Sequence, residues 1–451
     1  MSDRSAELFR QAQEVLAGGV SRNTLLRTPY PYYVDRGEGC RVIDVDGVER
    51  MDFANNMASL IHGHAHPDIV EAMTAQLHRG TAFTLATEIE IEYARLLVGR
   101  SSGFDKIRFM NSGTEAIMTA VKATRAFTGR SRIAKVEGTY HGSYDYVEVS
   151  QAPSPQSWGK AEHPTSVPLA AGTPVGVLTD VIILPFNDPE AAIAILDEHK
   201  DELACVLLDL MPHRLGLVPA DVPFVQALRK WTKKNGSLLL FDEVITFRSE
   251  VGGMQERYDV QPDLTALGKI IGGGLPVGAL AGREEVMGVF MSKGGAQPRL
   301  PQSGTFSANP MTMTAGHATM THFGAEAVHR LNRLGRMARL RIGEAIAEAD
   351  VPGSVTGAGS LFRIHLRSEA PKNYRSSFPS ALEKEAMTLF VDGLYDEGIV
   401  LIHTGTGTLS TPMGEAEIDR LGEAVLASLR EVKKQLPEWS DVSLTATPTP
   451  A

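Results

Sequence analysis

The stretch Leu238-Leu239-Leu240-Phe241-Asp242-Glu243-Val244-Ile245, followed by Leu264-Thr265-Ala266-Leu267-Gly268-Lys269 and the glycine run Gly272-Gly273-Gly274, decides the fold. Each run is short, mostly apolar and bounded by polar or glycine residues, the pattern of a strand buried on both faces of a parallel sheet. Each also ends on an ionisable residue, Asp242 in the first and Lys269 in the second. In open parallel sheets ligands sit outside the carboxyl ends of the strands. A carboxylate and an amine delivered to that rim together can hold a cofactor that needs both.

Working outward, further strand candidates lie at residues 106–111, 133–136, 206–211 and 278–283, with a helix over 224–231 and a long helix from about residue 311. The first 20 residues read as a short amphipathic helix, and residues 40–55 as a hairpin turning at Asp46-Gly47. From about residue 330 a second helix–strand pattern begins, with a strand over 361–366. These patterns predict an α/β protein: a large domain with a mostly parallel central sheet over 61–325, and a smaller α/β domain built from 1–60 and 326–440. Residues 441–451, rich in Thr and Pro, read as a disordered tail.

Composition sets outer limits. The chain has 451 residues, 43% hydrophobic and 22% charged, enough apolar content for a large core. A net charge of −10 argues against nucleic acid or an anionic membrane as partner, since both call for a basic surface. The only two cysteines, Cys40 and Cys205, are too few for a disulfide framework. The start of the chain is charged where a secretory signal needs an apolar core, and no run approaches the ~18 apolar residues of a membrane span. The expected setting is the cytoplasm.

Several local motifs carry possible chemistry. Ser112-Gly113-Thr114-Glu115 follows the strand at 106–111 and has capping-box spacing, so a helix begins there with free N–H groups and a positive dipole end, an anion site. It lacks the Gly-Lys-Ser/Thr of nucleotide-hydrolase phosphate loops. Gly138-Thr139-Tyr140-His141-Gly142 sets an aromatic ring beside glycines at a strand end, where a flat ligand can stack. His62-Gly63-His64-Ala65-His66-Pro67 invites a metal reading, but acids at ligand spacing are lacking nearby, and a loop entering the next helix is the simpler reading. Residues 151–176 have no periodicity and read as a cover rather than a linker.

Taken together, Asn111-Ser112-Gly113-Thr114-Glu115-Ala116, Tyr140-His141-Gly142, Phe241-Asp242-Glu243-Val244, Leu267-Gly268-Lys269 with Gly272-Gly273-Gly274-Leu275-Pro276, and Gly304-Thr305-Phe306 resemble, in order, the motifs of class III pyridoxal-phosphate aminotransferases. Within that class the chain is most similar to the glutamate-1-semialdehyde aminomutase-like branch, which includes β-amino-acid aminotransferases. The resemblance runs from about residue 10 to 430 and implies fold type I with pyridoxal 5′-phosphate as cofactor. It implies that Lys269 forms a Schiff base with the cofactor aldehyde and then moves the proton at the reacting carbon. Asp242 keeps the pyridine nitrogen protonated; opposite charges about 3 Å apart at an effective dielectric near 20 attract by roughly 5 kcal/mol before desolvation. The resemblance further implies that Ser112, Gly113 and Thr114 hold the phosphate, and that Tyr140 with His141 on one side and Val244 on the other cover the ring. Thr305 would reach the phosphate of a neighbouring subunit, which makes the expected assembly a homodimer with shared sites.

Departures fall on the substrate side. Where relatives read Glu-Pro after the middle strand this chain has Asp209-Leu210, then Met211-Pro212-His213-Arg214, and Ile245-Thr246-Phe247-Arg248 is one residue shorter than the common pattern. Ser21-Arg22 matches a Ser-Arg segment that carries the carboxylate-binding arginine in β-amino-acid enzymes, so Arg22 is the candidate carboxylate ligand, with His213 and Arg214 as further pocket candidates. The resulting expectation is a ping-pong aminotransferase acting on a small-molecule amino donor and a keto acceptor. The alternatives are a 2,1-aminomutase that moves the amino group within one molecule, and a cofactor-binding regulator without turnover, which the retained lysine disfavours.

Overall fold

The structure is a computed structural model that describes residues 3–292 and 294–441; the expected tail lies, beyond Asp441, outside the described residues. Seven strands form the central sheet, in the order Lys106–Met110, Gly278–Gly282, Leu264–Gly268, Leu238–Asp242, Leu203–Asp209, Arg132–Val136 and Val181–Leu184. Six run parallel, and Gly278–Gly282 is antiparallel to both its neighbours. The edge strand Val181–Leu184 is absent from the sequence reading; at four residues it is too short to stand out from the irregular segment before it.

The absence of polar alternation has a direct cause, since both faces of the sheet are covered. Leu238 and Leu240 pack with Leu207, Ala266 and the apolar side of the helix Gly113–Thr128. Leu239 and Phe241 point the other way, onto Val206, Leu208 and Phe224 and Leu228 of the helix Val222–Asn235. Each such side chain, fully buried, contributes about 1.5–3 kcal/mol.

Two smaller sheets stand apart from the central one. Val34–Glu38, Arg41–Asp44 and Glu49–Asp52 form an antiparallel meander, and Ile399–Val400 joins its edge in parallel, Ile399 opposite Met51. The two ends of the chain are therefore stitched into one sheet. Ser354–Thr356, Leu361–His365 and Thr406–Thr408 make the third sheet, flanked by the long helices Ala325–Ala349 and Glu415–Gln435. Arg248, fully buried, ties these parts together: its guanidinium donates to Ser360 Oγ, Ala58 O and Leu409 O. Burial pushes its pKa down to about 9. Among the described residues no helix is long and apolar enough to cross a membrane.

The lower end of the sheet is pinned by charge. Asp263, just before the strand that leads to Lys269, takes two bonds from Arg229 (2.6 and 3.1 Å), an ion pair with Arg283 at 2.9 Å, and the Leu239 amide at 2.8 Å. Both Asp263 and Arg229 are buried. Asp263→Ala leaves Arg229 as an uncompensated buried charge and is expected to lower the unfolding free energy by about 3–5 kcal/mol. Urea denaturation measures this; an unchanged midpoint would mean that the pair does not hold the strand ends together.

Candidate active site

At the carboxyl rim, register decides which groups meet. Asp209 and Asp242 are direct partners in the parallel ladder, and Asp242 faces Ala266 on the next strand, three residues before Lys269. The strand Leu264–Gly268 stops at a tight turn in which Lys269 takes a left-handed conformation (φ 49°), an uncommon one for a side-chain-bearing residue. The Lys269 amine has no hydrogen-bond partner among the described residues; burial lowers its pKa, against the opposing pull of Asp242 and Asp209.

Asp242 is 6% exposed and held at both oxygens: Oδ1 accepts the Val244 amide at 3.0 Å, and Oδ2 lies 2.7 Å from Nδ1 of His141. His141 is itself buried, with Nε2 2.9 Å from the Thr139 hydroxyl. Burial lowers the His141 pKa, partly offset by the Asp242 hydrogen bond and charge. Nδ1–H donates to Asp242, while Nε2 faces the Thr139 hydroxyl, whose own proton goes to the Val136 carbonyl at 2.7 Å. Glu243, the neighbouring carboxylate, faces the opposite way. It is fully buried, accepts the amides of Met254 and Gln255 and the Thr246 hydroxyl, and burial raises its pKa to about 7. The loop geometry thus separates two adjacent acids, one aimed at the rim and one used internally.

Around this pair the chain closes tightly. Ser112 caps the helix Gly113–Thr128 through its Oγ, which accepts the Glu115 amide at 3.1 Å. Glu115 reaches back to the Asn111 amide, not to that of Ser112, at 2.8 Å. The amides of Gly113 and Thr114 remain as donors of the first turn. A Cβ at Gly113 would stand 3.1 Å from Val244 Cγ1 and Cγ2, and one at Gly142 would stand 2.4 Å from Thr114 Oγ1. The Ser143 amide donates to Thr114 Oγ1 at 3.2 Å. So Ser112, Gly113, Thr114, Val244, Asp242 and His141 converge, and Tyr140 leads into the same cluster. Tyr140 is 40% exposed, and its ring meets that of His213 edge-on, centroids 5.8 Å apart.

Two expected residues make no contact with this cluster among the described residues. Arg22 is exposed, and its Nη1 donates to Asn56 Oδ1 at 2.8 Å. Thr305 lies in an exposed turn whose neighbour Gly304 approaches Asn111. Two of the three alternating histidines bind loops to one another: His62 meets the Thr411 hydroxyl and the Thr319 carbonyl, and His64 pairs with Asp52 at 2.8 Å, while His66 packs on the rings of His62 and His322.

Sequence reasoning missed several groups. Asp209 lies beside Asp242, and burial together with that neighbour raises its pKa well above the usual carboxylate range. Residues 55–58 all adopt positive φ, which costs roughly 1–2 kcal/mol per residue and is tolerated best by Asn. Lys135, fully buried beneath the Tyr140 loop, donates to the carbonyls of Val136, Thr139 and Val149, and burial lowers its pKa to about 7. A lysine inside the apolar run 133–136 was the available signal.

Comparison with known proteins places this geometry in context. The family model described as "Aminotransferase class-III" matches residues 25–413. Glutamate-1-semialdehyde 2,1-aminomutase of Methanothermobacter thermautotrophicus is 39% identical over 402 residues, covering 88% of this chain and 91% of that protein. Among solved structures, an omega-transaminase from Sphaerobacter thermophilus is 48% identical, covers 96% of this chain and 98% of its own, and superposes with a TM-score of 0.93. A beta-phenylalanine aminotransferase from Variovorax paradoxus is 33% identical, with coverage of 96% and 95% and a TM-score of 0.85.

The rim also carries histidines held neutral. Burial, then the charges of Lys269, Arg214 and Arg363, lowers His213 to about 3, and burial lowers His365 to about 3. Unfolded histidine titrates near 6.5. Above that pH these groups add nothing to the pH dependence; below it the unfolded chain takes up protons that the folded chain refuses, so stability falls from about pH 6.5 down toward the folded values. For the buried His365 the slope is up to about 1.4 kcal/mol per pH unit. His365→Gln should flatten the fall in unfolding free energy between pH 6 and 4 by that order; identical slopes in the two proteins would contradict a neutral His365.

Proposed function

The chain belongs to the class III aminotransferases, whose chemistry depends on pyridoxal 5′-phosphate, and from that premise we propose an aminotransferase that moves an amino group between an amine or amino-acid donor and a keto acceptor. β-Amino acids are the donor class we favour. The observation that carries the transferase reading is that the Sphaerobacter thermophilus transaminase shares more of its sequence with this chain, over nearly the full length of both, than the archaeal aminomutase does.

The residues fit the cofactor. In this reading the Ser112–Thr114 turn, with its open amides at a helix N-terminus, holds the phosphate. Val244 and Tyr140 flank the ring and His141 supports it. Asp242 would hold the proton on the ring nitrogen, and the His141 hydrogen bond and the Val244 amide keep that carboxylate aimed. When bound, pyridoxal phosphate supplies an aldehyde that condenses with amines and a ring that accepts electrons from the reacting carbon. Lys269 would be the residue that holds the aldehyde end of the cofactor while no substrate is present. With its amine free, Lys269 would move the proton at the reacting carbon of the donor, and burial, which lowers its pKa, suits it to that transfer. Thr305 closes the phosphate site of a second copy, which makes the working unit a homodimer. Arg22, beside Asn56, together with His213 and Arg214, forms the substrate side.

The aminomutase reading keeps one specific support, the aminomutases at 34–39% identity among the relatives. The two are separated by stoichiometry. Holoenzyme given a β-amino acid alone should lose the visible band of the bound cofactor and release one equivalent of oxo acid, and a keto acceptor should restore the band. Isomerisation of glutamate 1-semialdehyde with no acceptor, and no exchange with the donor panel, would replace the transferase by the mutase. Lys269→Ala should fold and retain cofactor while turnover drops by about 10²–10⁴ or more; an initial rate at the parent level would end both readings.

A further inference from the structure

Beyond His213 the active-site rim carries a local excess of positive charge. Arg214 follows His213 in the short turn His213–Leu215, and Arg363 lies in the middle of the strand Leu361–His365, from which its Nη1 donates to the His213 carbonyl at 2.6 Å. The two guanidiniums are close enough that the charge of Arg214 lowers the pKa of Arg363, which burial already depresses to about 10. The Nε atoms of both are out of solvent and without a hydrogen-bond partner. Neighbouring carboxylates are already engaged: Glu137 pairs with Arg375 at 2.9 Å and Glu383 with Arg367 at 2.6 Å. Among the described residues neither Arg214 nor Arg363 has an ion-pair partner, although Arg214 hydrogen-bonds Tyr374 and Arg363 the His213 carbonyl. A cavity of about 260 Å³ opens beside Arg363, lined also by His365, His403 and the paired Arg367 and Glu383; Arg214 is not among its lining residues.

Two partly buried cations repel one another, and such a pair persists in a fold when a bound anion completes it. The position names the anion. His213 is in edge contact with Tyr140 on one side, and its carbonyl holds Arg363 on the other. We propose that Arg214 and Arg363 form a carboxylate subsite of the substrate pocket, which selects donors and acceptors bearing a carboxylate away from the reacting carbon. The assignment rests on the aminotransferase reading above and adds to it an arginine, Arg363, that the sequence motifs do not mark. Guanidinium suits the role because its planar fork meets both carboxylate oxygens, and a neutral side chain forfeits both bonds.

The test compares charged with uncharged partners in each half-reaction. In Arg363→Gln and Arg214→Gln holoenzyme, KM for a β-amino acid or an oxo-acid acceptor should rise about ten-fold or more, while KM for an arylalkylamine donor or an aldehyde acceptor stays within about three-fold and the cofactor band is unchanged. Arg363→Lys, which keeps the charge and loses the fork, should fall between parent and Gln variant. A rise confined to the donors or to the acceptors assigns the subsite to that substrate alone. Equal losses with charged and uncharged partners would reduce both arginines to supports of the His213 turn and overturn the proposal; so would unchanged KM values. Calorimetric binding of unreactive 3-phenylpropionate to the holoenzyme gives a readout apart from turnover. If the parent binds it and both Gln variants do not, the subsite stands even where no donor–acceptor pair exchanges an amino group, an outcome that would sink only the transferase reading. If either Arg363 variant fails to fold, Arg214→Gln carries the same comparison.

Discussion

The site depends on one constraint, the parallel register of Leu203–Asp209, Leu238–Asp242 and Leu264–Gly268. Parallel strands end on the same side of a sheet, so groups far apart in sequence arrive at one rim without any loop having to carry them. Asp209 and Asp242 arrive as ladder partners and Lys269 one turn beyond. Two carboxylates side by side in a buried setting do not both ionise readily. Asp242 has an amide and an imidazole as partners, whereas Asp209 has the Met211 amide alone, and burial with the neighbouring Asp242 pushes its pKa upward. The register therefore places two acids of the same type side by side in different hydrogen-bonding surroundings.

Close packing then fixes the geometry around that rim. The strand bearing Gly278 passes so near the Ser112 turn that a Cβ at Gly278 would stand 1.9 Å from the Ser112 carbonyl oxygen, and backbone cannot yield as a side-chain tip can. With Gly113 against Val244 and Gly142 against Thr114, three contacts without side-chain volume bring the helix N-terminus, the Tyr140 loop and the Asp242 strand together. Lys135 supports the same loop from below with three carbonyl bonds, satisfying a buried amine whose desolvation would otherwise be costly.

Much of this was legible in the sequence, for physical reasons that differ by element. The apolar runs ending at Asp242 and Lys269 could be read because strands buried on both faces leave no other pattern, and the Ser112 turn because helix caps require few residue types. The resemblance singled out Asp242, and strand alternation turns its neighbour Glu243 the other way, where the amides of Met254 and Gln255 enclose it. What could not be read was lateral: which strands are neighbours, hence the Asp209–Asp242 pairing, and how a turn of four left-handed residues at 55–58 presents Asn56 to Arg22. The capping box was off by one residue, because Glu115 bonds the Asn111 amide and not that of Ser112. Such pairings are set by tertiary contacts that local periodicity does not encode.

The surroundings of His213 follow a different logic from those of Asp242. Asp242 has a partner within the chain at each of its oxygens, the Val244 amide and His141 Nδ1, which fixes the direction of the carboxylate. Around His213 the chain leaves guanidinium nitrogens unmatched while matching the nearby Arg367 and Arg375 to carboxylates. Two arginines of this neighbourhood are thus paired with carboxylates, whereas Arg363 has only the His213 carbonyl and Arg214 only Tyr374. The histidines between them gain from staying neutral: an imidazolium at His213 would add a further cation next to Lys269, Arg214 and Arg363, and burial together with those three charges prevents it.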